Sequence, residues 1–256
     1  MLASRQDPLG VLAADERVAA AVLAAREAVD EVLWRRDVRG AAAEVASASI
    51  QRGARDSAAI DGADVALVDD SPMGRTLDAA LRLTAAVPTL VDVFATAPLQ
   101  ALARLHALTA HGFEPDDALG RPRSSDVADD PLRLGALPPA SVAANRLALL
   151  ASTLTTPTEA PAILVSAIAH AELAVLRPFG WGSGLIARAS TRLVLAARGV
   201  DPSLFSIPEH GMHELGRPAY VRALRGYASG TQEGVGEFIV WQATAIAQGA
   251  RAVAVP

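Results

Sequence analysis

Apolar residues recur every three to four positions along most of this chain. Over residues 15–37, Val18, Val22, Ala25, Val29, Val32 and Leu33 fall at helical spacing with charges between them. A second polar–apolar segment follows at about 40–60. Pro72 and Gly74 then read as a break. The pattern predicts helices over 75–95 and 98–111, parted at the Ala97-Pro98 step, because the residue before a proline is pushed out of helical backbone. Apolar helices are predicted at about 139–154 and 161–176. Another is predicted over 185–199, with Gly199 as its stop. Two more, near 217–228 and 233–250, flank Gly230. At least six helices with almost no alternating pattern predict an all-α domain, a helical bundle. Residues 1–45 read as an N-terminal helical extension and 46–256 as the main domain.

One stretch departs from this rhythm. Residues 112–140 hold Gly112, Pro115, Gly120, Pro122, Pro131, Gly135, Pro138 and Pro139, with Asp126, Asp129 and Asp130 among them. Long irregular segments inside compact domains are usually functional or mobile. A small β-hairpin, if the chain has one, belongs at 121–137. The Asp129-Asp130 pair reads as a solvated loop face.

Composition narrows the classes. The chain has 256 residues, 51% of them hydrophobic, a net charge of −5 and no cysteine. Disulfides and thiolate metal sites are therefore excluded. Arginines are scattered among acids with no basic block, so no nucleic-acid partner is expected. The mean hydropathy of +0.27 invites a membrane reading. The closest apolar stretch, Pro161 to Phe179, carries His170, Glu172 and Arg177 and reads better as a buried helix, so no membrane is expected. Residues Met1 to Asp15 lack the apolar run of a secretory signal, which makes the cytoplasm the default expectation. His106, His111, His210 and His213 show no metal-ligand spacing, so no metal site and no cofactor are expected. His170 reads as a satisfied core histidine.

The informative segment runs from His170 to Arg188 and includes Arg177-Pro178-Phe179-Gly180-Trp181-Gly182-Ser183-Gly184-Leu185. It predicts a helix, a glycine-rich turn and a second helix. Backbone N–H groups in such a turn, beside a helix N-terminus, form an anion nest. Glycines also make tight helix–helix corners for steric reasons alone.

The spacing resembles the Fic family signature, H-P-F-x-(D/E)-G-N-G-R-x-x-R, at Pro178, Phe179, Gly182, Gly184 and Arg188. Other blocks follow in the family's order. Ser57-Ala-Ala-Ile-Asp61-Gly62 looks like the autoinhibitory helix motif, with Asp for Glu. Leu105-His106 and Gly120-Arg-Pro-Arg123 resemble the segment before the target-docking flap, and Pro138-Pro139-Ala-Ser-Val142 resembles the flap's exit. Tyr220, Leu224, Gly230 and Phe238 echo the C-terminal pattern.

The departures fall on the chemistry that the resemblance implies. Arg177 stands where the family has its general base, and arginine stays protonated. Trp181 replaces the acid that holds Mg²⁺ and offers only an N–H donor. Ser183 replaces asparagine, and Leu185 removes one phosphate clamp. The resemblance thus implies a Fic-type bundle without AMP transfer and with no catalytic residue at these positions. Gly182, Ser183, Gly184 and Arg188 remain as candidate anion ligands, and Ser57, Asp61 and Gly62 as the regulatory-helix candidates. Arg177 reads as a cap on helix-end carbonyls. Trp181 either plugs the old pocket or packs on the loop. In autoinhibited relatives the helix glutamate pairs with the second arginine of the loop, so the resemblance implies an Asp61–Arg188 pair.

Two functions follow. The first is a non-catalytic protein that binds a protein partner through a 121–137 flap, or a ligand. The second is a divergent enzyme that binds a phosphorylated ligand, or transfers a nucleotidyl or phosphoryl group, without the usual base and metal ligand. A homo-oligomer is compatible with either.

Overall fold

The computed structural model describes residues 7–63 and 71–256. Among them are twelve helices: α1 (Pro8–Ala13), α2 (Glu16–Trp34), α3 (Arg36–Gly40), α4 (Ala42–Ile60), α5 (Pro72–Thr96), α6 (Pro98–Ala110), α7 (Ala140–Thr155), α8 (Ala162–Leu176), α9 (Ser183–Ala197), α10 (Pro208–Leu215), α11 (Arg217–Ala228) and α12 (Gln232–Arg251).

Local chemistry accounts for several boundaries. The Asp15 carboxylate accepts hydrogen bonds from the Arg17 and Val18 amides and starts α2. Pro72 and Gly74, expected as a break, open α5 instead. Ser71 caps the Gly74 amide at 3.1 Å, and proline suits a first turn because its missing N–H is unpaired there anyway. Helix α10 was not predicted. Pro208 and Gly211 hide its rhythm, yet proline sits in its first turn and its N-terminal half is buried.

The centre of the fold is the α8–α9 pair. Helix α8 is apolar on nearly all sides and α9 is buried along almost its whole length. Such helices belong inside, with others wrapped around them. Helices α5 and α6 cover α9, while α12 lies against α2, α10 and α11. Val18, Val22, Val29 and Val32 of α2 join the same core as Phe238 and Ile246 of α12.

Two expectations are corrected. By length and composition Gly74–Thr96 is apolar enough to cross a membrane, where the sequence reading had only Pro161–Phe179 as its closest case. Here that helix packs against α4, α6 and α9. The hairpin is also absent: among the described residues the only β pairing is an isolated bridge between His111 and Glu114. Prolines 115, 122, 131, 138 and 139 supply no N–H to a ladder, and the carbonyls of this segment are taken by arginines instead.

Candidate functional site

The glycine-rich corner joins α8 to α9. Helix α8 ends on Arg177 in the left-handed region (φ 44°), an uncommon place for a residue with a Cβ. Helix α9 starts from Gly182, also left-handed (φ 77°), with no side-chain cap from that residue. Its first amides therefore present partial positive charge. A methyl group on Gly182 would fall 2.7 Å from Thr109 Cγ2, and one on Gly180 would fall 2.0 Å from Glu114 Oε1. Gly182 is thus favoured both by its backbone and by the Thr109 methyl, whereas at Gly180 the Glu114 side chain would have to move. Phe179 is buried and stacks on His106 with ring centroids 4.3 Å apart. Ser183 is fully buried, and its Oγ both donates to the Phe179 carbonyl and accepts from the Phe179 amide, each at 3.2 Å. It closes the loop upon itself.

Arg177 does not cap helix-end carbonyls, contrary to expectation. Its side chain is buried and crosses to the irregular segment. One Nη lies 3.0 Å from the Asp130 carboxylate, and the other donates to the carbonyls of Gly135 (3.0 Å) and Ala136 (2.8 Å). The left-handed backbone turns it away from its own helix. Asp130 in turn accepts from the Leu134 amide at 2.9 Å and the Gly135 amide at 3.1 Å.

Arg123 reinforces the seam. Its amide donates to the Pro178 carbonyl at 2.8 Å, and its guanidinium donates to the carbonyls of Arg177 (2.8 Å), Ser125 (2.7 Å) and Pro138. The Asp129 amide donates to the Gly180 carbonyl at 2.8 Å. The segment is therefore strapped across the loop at residues 123 and 129. Arg217 and Arg225 hold it from the far side through the carbonyls of Pro131 and Arg133. The expected solvated face at Asp129-Asp130 is corrected accordingly: both are half-buried against the loop because the strap folds inward there.

Trp181 stacks flat on Phe113, with centroids 3.6 Å apart and planes 8° from parallel. Arg75 also lies over the Phe113 ring at 4.6 Å and reaches the Gly112 carbonyl. Leu185 is buried in the core. Arg177, Trp181 and Leu185 thus serve as a strap anchor, a stacked indole and a core leucine.

Arg188 and Asp61 meet. Their ion pair measures 2.6 Å, and the side chains are 0% and 6% exposed. Arg188 Nε donates to Ser57 Oγ at 2.7 Å, and an Nη donates to the Ser57 carbonyl at 3.1 Å. The contact is single-pronged rather than bidentate: Asp61 Oδ1 and Arg188 Nη1 have no partner, and both lie against Gly184. Burial opposes the Arg188 charge, and Asp61 and Tyr220 together more than offset it, raising its pKa. Gly62 follows with φ 93°, which lets the chain leave α4. His170, fully buried, has both ring nitrogens engaged: Nδ1 with Thr191 at 3.2 Å and Nε2 with Tyr220 at 2.5 Å. Burial holds it well below its ordinary pKa, and therefore neutral.

Three further carboxylates gather at the loop. Glu114 lies against Gly180 and 2.7 Å from His106 Nε2. Burial raises Glu114 and lowers His106 to about 4. Since His106 Nδ1 accepts from the Gly120 amide at 3.0 Å, the neutral ring carries its proton on Nε2, which makes no hydrogen bond to Glu114 despite their closeness. Asp130 is held by Arg177. Asp129 is pushed up to about 7, first by burial and then by the charges of Asp61, Asp130 and Glu114, while the Gly182 amide beside it opposes the rise. Sequence reasoning named neither Phe113 nor Glu114 and gave Arg123 no role. The only signal for Arg123 was its place in the Gly120–Arg123 block.

This arrangement defines an all-helical protein built around a self-engaged helix–loop–helix corner. No family model and no curated protein matches the sequence. Solved structures do match. A Fic family protein from Desulfovibrio desulfuricans superposes with a TM-score of 0.72 at 19% identity, covering 90% of this chain and 73% of that one. A fragment of Fic-1 from C. elegans gives 0.64 at 15% identity, covering 91% and 72%. The chain has the Fic fold.

Proposed function

We propose that this chain is a non-catalytic protein of the Fic fold that works by binding. The observation that supports this reading most directly is the employment of Arg177. A general base needs a free lone pair aimed at the target hydroxyl, whereas Arg177 is a buried cation tied to Asp130 and two carbonyls. Trp181, stacked on Phe113, has no oxygen for a metal. Loss of a base alone costs about 10²–10⁴-fold, and the metal ligand is lost with it. A protein-docking role for 121–137 falls to side chains such as the exposed Val127, because arginines already hold several of the carbonyls that strand pairing would use.

The test is incubation of the purified chain with labelled ATP and Mg²⁺, alone and with cell extract. No AMP should be incorporated into any protein. Incorporation that is lost in Arg177→Ala would overturn the reading.

One observation favours the second reading, a divergent enzyme for a phosphorylated ligand. The α9 N-terminus has no side-chain cap from Gly182, and Arg188 Nη1 lies against Gly184 in its first turn. A thermal-shift panel of nucleotides and phosphorylated metabolites separates the two. A bound ligand raises the melting temperature by mass action, and a reaction would then consume it.

A further inference from the structure

The outward face of a surface helix usually carries charge. Most surface helices of this chain follow that rule: α2 exposes Glu16, Arg17, Glu27 and Glu31, and α12 exposes Glu233 and Glu237. Helices α4, α5, α6 and α11 expose charged side chains as well. Helix α7 does not. None of its exposed positions is charged, and its single charged residue, Arg146, is engaged by Glu172 of α8 at 2.5 Å. What α7 turns outward instead is Val142, 41% exposed, and Leu149, 66% exposed, among alanines, serines and Asn145.

The same face is hollow. A cavity of about 370 Å³ opens between α6 and α7, walled by Leu99, Leu102 and Ala103 on one side and by Ala144, Leu147 and Ala148 on the other. A second hollow, of about 450 Å³, shares Leu99 and Gln100 with the first and reaches Ala151, Ser152 and Thr155 of α7. Leu149 directly follows Ala148 of the wall, so a protruding leucine stands beside an apolar hollow.

We propose that this face pairs with the same face of a second copy of the chain, Leu149 of each copy seating in the α6–α7 hollow of the other. Three properties of the face choose this occupant. A symmetric dimer joins one patch to itself, so the patch must carry both members of each contact. Leucine and hollow meet that condition. The face is also without charge along α7, so two copies set no like charges against each other there, while an acidic or basic partner finds no counter-charge. A helix lying on an anionic membrane carries Lys and Arg on its polar side, and α7 has only the engaged Arg146. Finally, Ala144, Ala148 and Ser152 recur every four residues, and side chains this small let another helix come close.

The proposal does not depend on the reading of the loop; labelled ATP tests that reading and sedimentation tests this one. In sedimentation velocity, over a concentration series reaching the high micromolar range, the wild-type chain should pass from monomer to dimer. Leu149→Glu would bury an unpaired charge in the partner's hollow and should raise the dissociation constant at least about ten-fold. Leu23→Glu is the control, since Leu23 is 59% exposed on α2, which lies against α12. It should dimerise as wild type does. The chain has no cysteine, which allows a second measurement that does not rely on the glutamate variant. Leu149→Cys mixed with Gln100→Cys should cross-link into a heterodimer under a short thiol-reactive linker, and Leu23→Cys mixed with Gln100→Cys should not. A chain that stays monomeric throughout overturns the proposal, and so does a dimer that tolerates Leu149→Glu. Failure of the Leu149→Cys and Gln100→Cys mixture to cross-link overturns it as well, because the leucine would then not reach the hollow.

Discussion

Arg188 is fully buried, which is costly for a guanidinium unless its charge and donors are met. Ser57 supplies a hydroxyl and a carbonyl, and Asp61 supplies the counter-charge. Ser57 and Asp61 stand four apart, so one face of α4 presents both to α9. Aspartate is shorter than the glutamate of the motif it resembles, and the helix end comes close enough for direct contact without a bridging water. Removing either member leaves the other charge buried and alone. Asp61→Ala and Arg188→Ala are each expected to cost about 3–5 kcal/mol. The double variant should cost clearly less than their sum. Urea unfolding of the four proteins reads this coupling, and strictly additive losses would show that the two side chains do not stabilise each other.

At the scale of elements, the strap between α6 and α7 is the departure from a plain bundle. It has no ladder of its own and is held by side chains reaching in from elsewhere: Arg177 from α8, Arg217 and Arg225 from α11. Restoring the signature base as Arg177→His would therefore remove an anchor as well as add an imidazole, which cannot span Asp130 and two carbonyls at once. Hydrogen bonds to charged groups contribute about 1.5–3 kcal/mol each. Amide exchange at Leu134 and Gly135, which are held by Asp130, should accelerate at least about ten-fold in this variant. Unchanged protection would mean that Arg177 does not secure the strap. The same long reach explains what the sequence could reveal. Helices α8 and α9 were legible because their apolar positions and bounding glycines are local signals. The loop residues were legible through spacing. The strap was not, since contacts such as Arg123 to Arg177 or Arg225 to Arg133 span many residues and leave no periodic trace. The Asp129-Asp130 pair looked like a solvated loop for the same reason: only the folded chain brings it to Gly180 and Arg177.

At the scale of the molecule, the fold places its tightest backbone packing away from the loop. Helices α10 and α12 approach so closely that a Cβ on Gly249 would lie 2.0 Å from the Ile207 carbonyl oxygen, and one on Gly211 would lie 1.8 Å from the Ala245 carbonyl oxygen. The obstacle is backbone in both cases, so no side-chain rotation relieves it and the helices must move apart. Overpacking of this kind costs about 1–3 kcal/mol and occasionally more. Gly249→Ala is expected to fall at or above the top of that range in urea unfolding. Gly40→Ala is the matched control, because nothing lies within 4 Å of the added methyl and its φ is not in the left-handed region. It should be neutral, or stabilise by about 0.4–1 kcal/mol through a less flexible unfolded chain.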